Sequence, residues 1–332
     1  MALVVRNLWV KRGTLSLPGK TVPFWGFAPS ATAPPRLPGP TIDVTVGDTV
    51  FVVLWNNELS ERVSIVFPGQ RNVWVMSGRW GVRKASPQYE SGRMVSFTDF
   101  VDGSAPGPIV YVFSAARPGV YLYESGTSPE RQVQMGLYGV IVIRPQGYGT
   151  PTDPDYRTAY GAGTESLFDV EKTLVLADID TIMHEALASG HAYNTLDYSP
   201  DYWVMNGRSY PDTVRSDRDP ALPSQPVGSS IAARVGQRLL LRIVNAGFQN
   251  HTLQFGGLVG RVVAGDGYPL VTRAVDASYD KTAVTLGSGQ SFDVILTPAG
   301  PGEFYLRDRD YNHLVNRDTF PGGMMTRLDV AP

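Results

Sequence analysis

The sequence predicts an all-β chain with two tandem domains, on three observations. Short runs rich in Val, Ile, Leu, Tyr and Phe recur from end to end. Examples are TIDVTV (41–46), TVFVVLW (49–55), GVIVIRP (139–145), RLLLRIV (238–244) and SFDVILT (291–297). Gly (35 residues) and Pro (26 residues) punctuate these runs, as expected of strands joined by turns. The two halves of the chain also match each other, and 332 residues suit two cores better than one.

In chain order, VTVGDTVFVVLWNN (44–57) reads as a strand, a Gly-polar turn and a second strand, and ARVGQRLLLRIVNA (233–246) repeats it. SIVFPG (64–69) matches TLQFGG (252–257), and ARPGVYLYESG (116–126) matches AGPGEFYLRDR (299–309). Gly47 pairs with Gly236, Val66 with Gln254 and Glu124 with Arg307, at offsets of 189, 188 and 183 residues. Three matches in one order at nearly one spacing argue for a duplicated β-domain. Between the copies, the Pro, Gly and polar stretch within 145–166 reads as a linker. The expected layout is domain 1 over 1–148, linker over 149–164 and domain 2 over 165–332. Only DTIMHEALASG (180–190) has a helical pattern.

Composition narrows the function. Hydrophobic content of 42% with 18% charge is that of a globular chain. A net charge of −2 supplies no basic field for nucleic acid. No apolar run reaches the ~20 residues of a membrane span. MALVVRNLWV lacks the long apolar segment of a signal peptide, which points to a cytoplasmic or already processed chain. With no cysteine, disulfides, thiolate metal sites and cysteine nucleophiles are excluded.

Each repeat carries two i, i+2 pairs: Val66 with Pro68 and Glu124 with Gly126, then Gln254 with Gly256 and Arg307 with Arg309. Alternate strand residues share a face, so two such pairs on neighbouring strands are expected to bring four side chains together, an arrangement suited to metal ligands.

Taken together, LPGPTIDVTVGDTV (37–50), QVQMGLYGVIVIRP (132–145), DYWVMNGRSYPDT (201–213), VGQRLLLRIVNAGFQNHTLQFGG (235–257), VVAGDGYPL (262–270) and FPGGMM (320–325) resemble the two-domain bacterial multicopper oxidases. The resemblance covers nearly the whole chain and implies two cupredoxin-like Greek-key β-sandwiches. It also implies a trinuclear copper cluster on four H-x-H pairs, and a type 1 copper on Cys, two His and often Met. The sequence departs from that pattern at almost every ligand. The eight cluster positions are Val66, Pro68, Glu124, Gly126, Gln254, Gly256, Arg307 and Arg309. Val, Pro, Gly and charged Arg offer copper no lone pair. The type 1 positions of domain 1 are Ser125, Gln132 and Met135, without a histidine. Those of domain 2 keep His251 and His313 with Met324 or Met325, but Asp308 stands in place of the cysteine.

Four-electron reduction of dioxygen is therefore not expected, nor is any catalytic residue or cofactor. The leading expectation is a metal-free structural or assembly protein that associates with itself as a homotrimer or polymer. Glu124 of one copy would then meet Arg307 and Arg309 of the next; in the alternative, these charges simply alternate across a strand end. Two other readings stay open. One is an oxidoreductase or electron carrier with a single copper or zinc ion at His251, Asp308 and His313. The other is an anion-binding module using Arg307 and Arg309. The resemblance implies an extracellular or periplasmic protein. His184 and His191 are read as surface residues, and Asp178, Asp180 and Glu185 as a solvated helix start. Neither a P-loop nor a G-x-S-x-G elbow occurs.

Overall fold

A computed structural model describes residues 1–79, 81–103, 107–153 and 156–332. The chain forms two compact units, Met1–Leu15 with Pro23–Arg144, and Ser16–Val22 with Pro145–Pro332.

Each unit is a sandwich of two sheets, and the two units repeat one strand plan. In the first, Thr49–Asn56 pairs in parallel with Leu3–Leu17 and antiparallel with Ile109–Ser114. In the second, Leu239–Asn245 pairs in parallel with Val170–Ile179 and antiparallel with Ser291–Leu296. The facing sheets agree as well. Tyr138–Arg144 lies between Gly119–Glu124 and a parallel Ile42–Thr45. Met325–Ala331 lies likewise between Gly302–Asp308 and a parallel Ile231–Arg234. Parallel neighbours need a crossover from one sheet to the other, which gives the Greek-key character.

Burial follows the pleat. Along Thr49–Asn56, alternate residues are buried, so Val50, Val52 and Leu54 enter the core. The second core is built from Leu174, Leu176, Leu239, Leu241, Ile243, Leu253, Phe255 and their neighbours. The turn that opens each repeat also matches. Gly47 and Gly236 sit at φ 92° and 79°, a left-handed conformation that glycine adopts without a Cβ penalty. Their amides donate to Ala115 O and Pro298 O, at 2.8 and 2.9 Å.

Part of the stretch read as linker is packed. Ala159 and Tyr160 are buried in a cluster with Phe168, Leu240 and Ile295. The Tyr160 hydroxyl donates to Asp293 Oδ2 at 2.8 Å. Asp293 also accepts from the fully buried Arg242, which reaches Glu171 as well, both at 2.6 Å. Burial works against the Arg242 charge, and the two carboxylates outweigh it.

The helix Thr181–Ala188 is capped by Asp180, whose Oδ1 accepts from Met183 N at 3.0 Å. His184 corrects the surface reading: it is fully buried, beside Met183 and Leu187 on the helix's inner side. His191, beyond the helix, is exposed. Among the described residues no helix is long and apolar enough to cross a membrane.

Candidate functional site

The only group of three or more metal-capable side chains among the described residues is His251, Asp308 and His313. His251 opens the strand His251–Gln254, which pairs with Gly302–Asp308 through Leu253–Asp308 and Gln254–Arg307. The chain then turns back. Asp308 Oδ1 accepts from Asp310 N at 3.0 Å, and Asp310 caps the short turn Tyr311–Leu314, accepting from Asn312 N at 3.0 Å. Two carboxylate caps in succession thus return His313 to Asp308.

The geometry is that of a buried hydrogen-bond network. Asp308 Oδ2 lies 2.9 Å from Nδ1 of His251 and 2.9 Å from Nδ1 of His313. The second nitrogen of His251, Nε2, is 3.3 Å from Asp178 Oδ1. Asp178 also accepts from Gln249 N at 3.1 Å, Phe248 N at 3.3 Å and the Tyr198 hydroxyl. Trp203 stacks on His313 at 4.7 Å, and its Nε1 donates to Gln249 Oε1 at 2.8 Å. His251, Asp308 and Asp178 are at most 2% exposed.

Electrostatics agree with that network. Burial pushes the Asp308 carboxyl up, but hydrogen bonds from both histidines and Asp310 N carry it well below the usual range. Asp178 is lowered as well, the bonds from His251 and Tyr198 outweighing burial. Burial disfavours a charged His251, yet its two carboxylate partners hold its pKa above the ordinary value. Both nitrogens of His251 thus face carboxylate oxygens, an arrangement that favours the protonated ring. A metal needs the opposite, a deprotonated nitrogen with a free lone pair. Without a thiolate, and with both His251 nitrogens engaged, these residues do not fit the family's type 1 copper.

The cluster positions fit copper no better. Val66 bridges Glu124, with N···O distances of 2.8 and 3.2 Å, as Gln254 faces Arg307. The expectation that four side chains meet in each unit is corrected here. The strands are antiparallel, so the i+2 residues move apart: Arg309 N donates to Thr252 O, and Gly256 comes to lie against Tyr305. A Cβ on Gly126 would meet Val66 Cγ1 at 2.7 Å, and one on Gly256, at φ 63°, would meet Tyr305 N and O at 2.9 Å. Pro68 and Arg309 are exposed, and Arg307 packs half-buried over the Tyr311 ring at 5.2 Å. In unit 1, Ser125 Oγ donates to Gln132 Oε1 at 2.6 Å, beside the buried Met135. Met324 is buried in the second core, and Met325 is nearly so.

Sequence reasoning missed Asp178, and with it Tyr198, Trp203 and Gln249. The acids read as a solvated helix start are divided: Asp178 and Asp180 are buried, whereas Glu185 is half exposed and pairs with Lys20 at 3.0 Å. The available signal was the apolar run TLVLA (173–177), which carries Asp178 straight out of a buried strand.

The multicopper oxidase family profile matches residues 174–326. The chain is 28% identical over 299 residues to Laccase-4 of Arabidopsis thaliana, covering 84% of this chain and 42% of that protein. It is 23% identical over 287 residues to multicopper oxidase MmcO of Mycobacterium tuberculosis, covering 80% and 47%. The chain thus spans about half the length of the relatives it matches. The fold is shared with the blue copper oxidase from Nitrosomonas europaea, at TM-score 0.71 and 21% identity over 99% of this chain and 86% of that one. It is shared also with the multicopper oxidase mgLAC, at TM-score 0.73 and 20% identity over 100% and 88%. Profile, relatives and fold agree in likening the chain to the multicopper oxidases, whose type 1 copper cysteine has no counterpart here because the sequence holds no cysteine.

Proposed function

We propose that this protein is a metal-free, non-catalytic member of the multicopper oxidase family that works as a structural or assembly protein by associating with itself. One observation carries the metal-free part: the same Asp308 oxygen takes both imidazole Nδ1 atoms at 2.9 Å, closing the ligand set on itself. The assembly part rests on unmatched charge. Burial pushes the Glu124 carboxyl up, and among the described residues no cation pairs with it. Arg307 and Arg309 likewise have no ion pair among the described residues. Arg is suited to bind a carboxylate bidentately, and pairing would relieve the cost of a half-buried acid. Glu124 of one copy therefore meets Arg307 and Arg309 of the next, in a closed trimer or a polymer. An extracellular or periplasmic setting goes with this reading.

Metal content and mass of one purified sample test both parts. The expected result is no stoichiometric copper or zinc after supplementation, with a trimeric or larger mass that falls to the monomer in Arg307→Glu/Arg309→Glu. A monomeric wild-type protein at micromolar concentration would overturn the assembly role. The three donors within 4.8 Å of one another favour a second reading, a single copper or zinc ion. Stoichiometric metal that is lost in His251→Ala/His313→Ala would establish it in place of the first.

A further inference from the structure

Unit 1 contains a cavity of about 760 Å³, within the range of small-molecule sites. Its floor is a network of hydroxyl and amide groups. Ser64, Ser96 and Thr127 form a triangle of mutual hydroxyl contacts at 2.9–3.0 Å, of which Ser96 and Thr127 line the cavity. The fully buried Gln132 is fixed at one wall, donating to Arg62 O at 2.8 Å and accepting from Ser125 Oγ at 2.6 Å.

The rim decides the class of ligand. It carries three carboxylates, Glu61, Glu90 and Glu130, and three guanidinium groups, Arg62, Arg93 and Arg131. Formal charge therefore balances, and the signs alternate through the pairs Arg62–Glu90 at 2.8 Å and Arg131–Glu61 at 3.5 Å. An anion meets three carboxylates there and a cation three guanidiniums, so neither gains on entry. A hydroxyl group both donates and accepts, and is satisfied by either neighbour. Phe97 adds an apolar surface: it is 54% exposed, beside Met94 at 47%, and its amide donates to Gly126 O at 2.8 Å. A ring with hydroxyls on its edge and C–H groups on its face matches polar rim and aromatic wall together.

We infer that this cavity binds a neutral polyhydroxylated ligand, a saccharide of one or two units, through Phe97 and the alternating Arg–Glu rim. The site is independent of the histidine–carboxylate cluster and of self-association. It involves no bond-making step.

The test titrates the full chain with cellobiose, maltose and N,N′-diacetylchitobiose by calorimetry and ligand-observed NMR, with sodium sulfate and choline chloride as charged controls. At least one disaccharide binds with a dissociation constant in the roughly millimolar range or tighter. Phe97→Ala and Arg93→Ala, both at exposed positions, each weaken it about tenfold, while Tyr311→Ala in the other unit leaves it unchanged. The inference is overturned if no sugar binds up to about 20 mM. It is overturned equally if both cavity variants bind as the wild type does, or if sulfate or choline binds instead.

Discussion

His251 Nε2 and Asp178 Oδ1 lie 3.3 Å apart although 73 residues separate them in the chain. The contact ties the strand Val170–Ile179 of one sheet to the strand His251–Gln254 of the facing sheet, inside one sandwich. Asp308, on the other side of the same ring, completes a carboxylate–imidazole–carboxylate arrangement where the family resemblance placed a metal. Stability should therefore depend on these polar residues.

Asp308→Ala leaves two buried imidazoles without their common acceptor. Removing one partner of a buried charged pair costs about 3–5 kcal/mol, and urea unfolding should show a loss of that size. Asp308→Asn should cost less, because its amide oxygen still accepts one hydrogen bond. A loss below about 1 kcal/mol in the alanine variant would show that the network contributes little.

The pH profile of stability should have two edges. Asp178 and Asp308 are lowered in the folded state, so their contribution is full above the unfolded carboxyl value of about 4 and is lost as pH falls through their folded values. His251 is raised, so its contribution is full below about 6.5 and is lost as pH rises through its folded value. Thermal melts from acid to alkaline pH should give a maximum between about pH 4 and 6.5. His251→Gln should flatten the alkaline edge selectively.

Glu124 carries the opposite sign. Burial raises its pKa, so the folded single chain loses stability as pH rises through the unfolded value of about 4.3. Glu124→Gln should raise the melting temperature of a monomeric form at pH 7 and lower the self-association constant. Light scattering with melts on diluted samples separates the two effects.

Asp308→Cys should place a thiol between two imidazole Nδ1 atoms and restore a soft donor set for copper. One equivalent of Cu(II) with intense visible absorption is the expected result. No oxygen consumption should accompany it, because Val66, Pro68, Gly126, Gly256, Arg307 and Arg309 hold no cluster. Turnover of dioxygen by that variant would contradict the account of the cluster positions.

Arg242 offers a check away from this site. Arg242→Ala strands the Asp293 carboxylate inside the second sandwich and should cost about 3–5 kcal/mol in denaturant unfolding. Arg242→Met fills the volume, and combined with Asp293→Leu should recover most of that loss.

Much of the fold was legible because each repeat carries its own local signals. The Gly47 and Gly236 turns and the alternation along 49–56 follow from backbone sterics and period-2 burial, which depend on neighbours in sequence. The meeting of His251, Asp308 and His313 was legible through the resemblance. Asp178 was not, because its acceptor role depends on a partner 73 residues away in another sheet. His184 misled for a related reason. A helix this short gives too few turns to distinguish its inner face, and a histidine suits either side. The divergence of Arg309 from Gly256 follows from strand direction, which residue spacing does not encode.

Gly256 carries a further consequence. At φ 63° its Cα already stands against the backbone of Tyr305, so any L-residue there meets both a left-handed penalty of about 1–2 kcal/mol and a collision at 2.9 Å. A histidine at 256 must wait for a shift of the neighbouring strand before it can help any other ligand. The backbone acts as a ratchet: side chains around the old cluster positions can drift further, but no single substitution rebuilds the cluster.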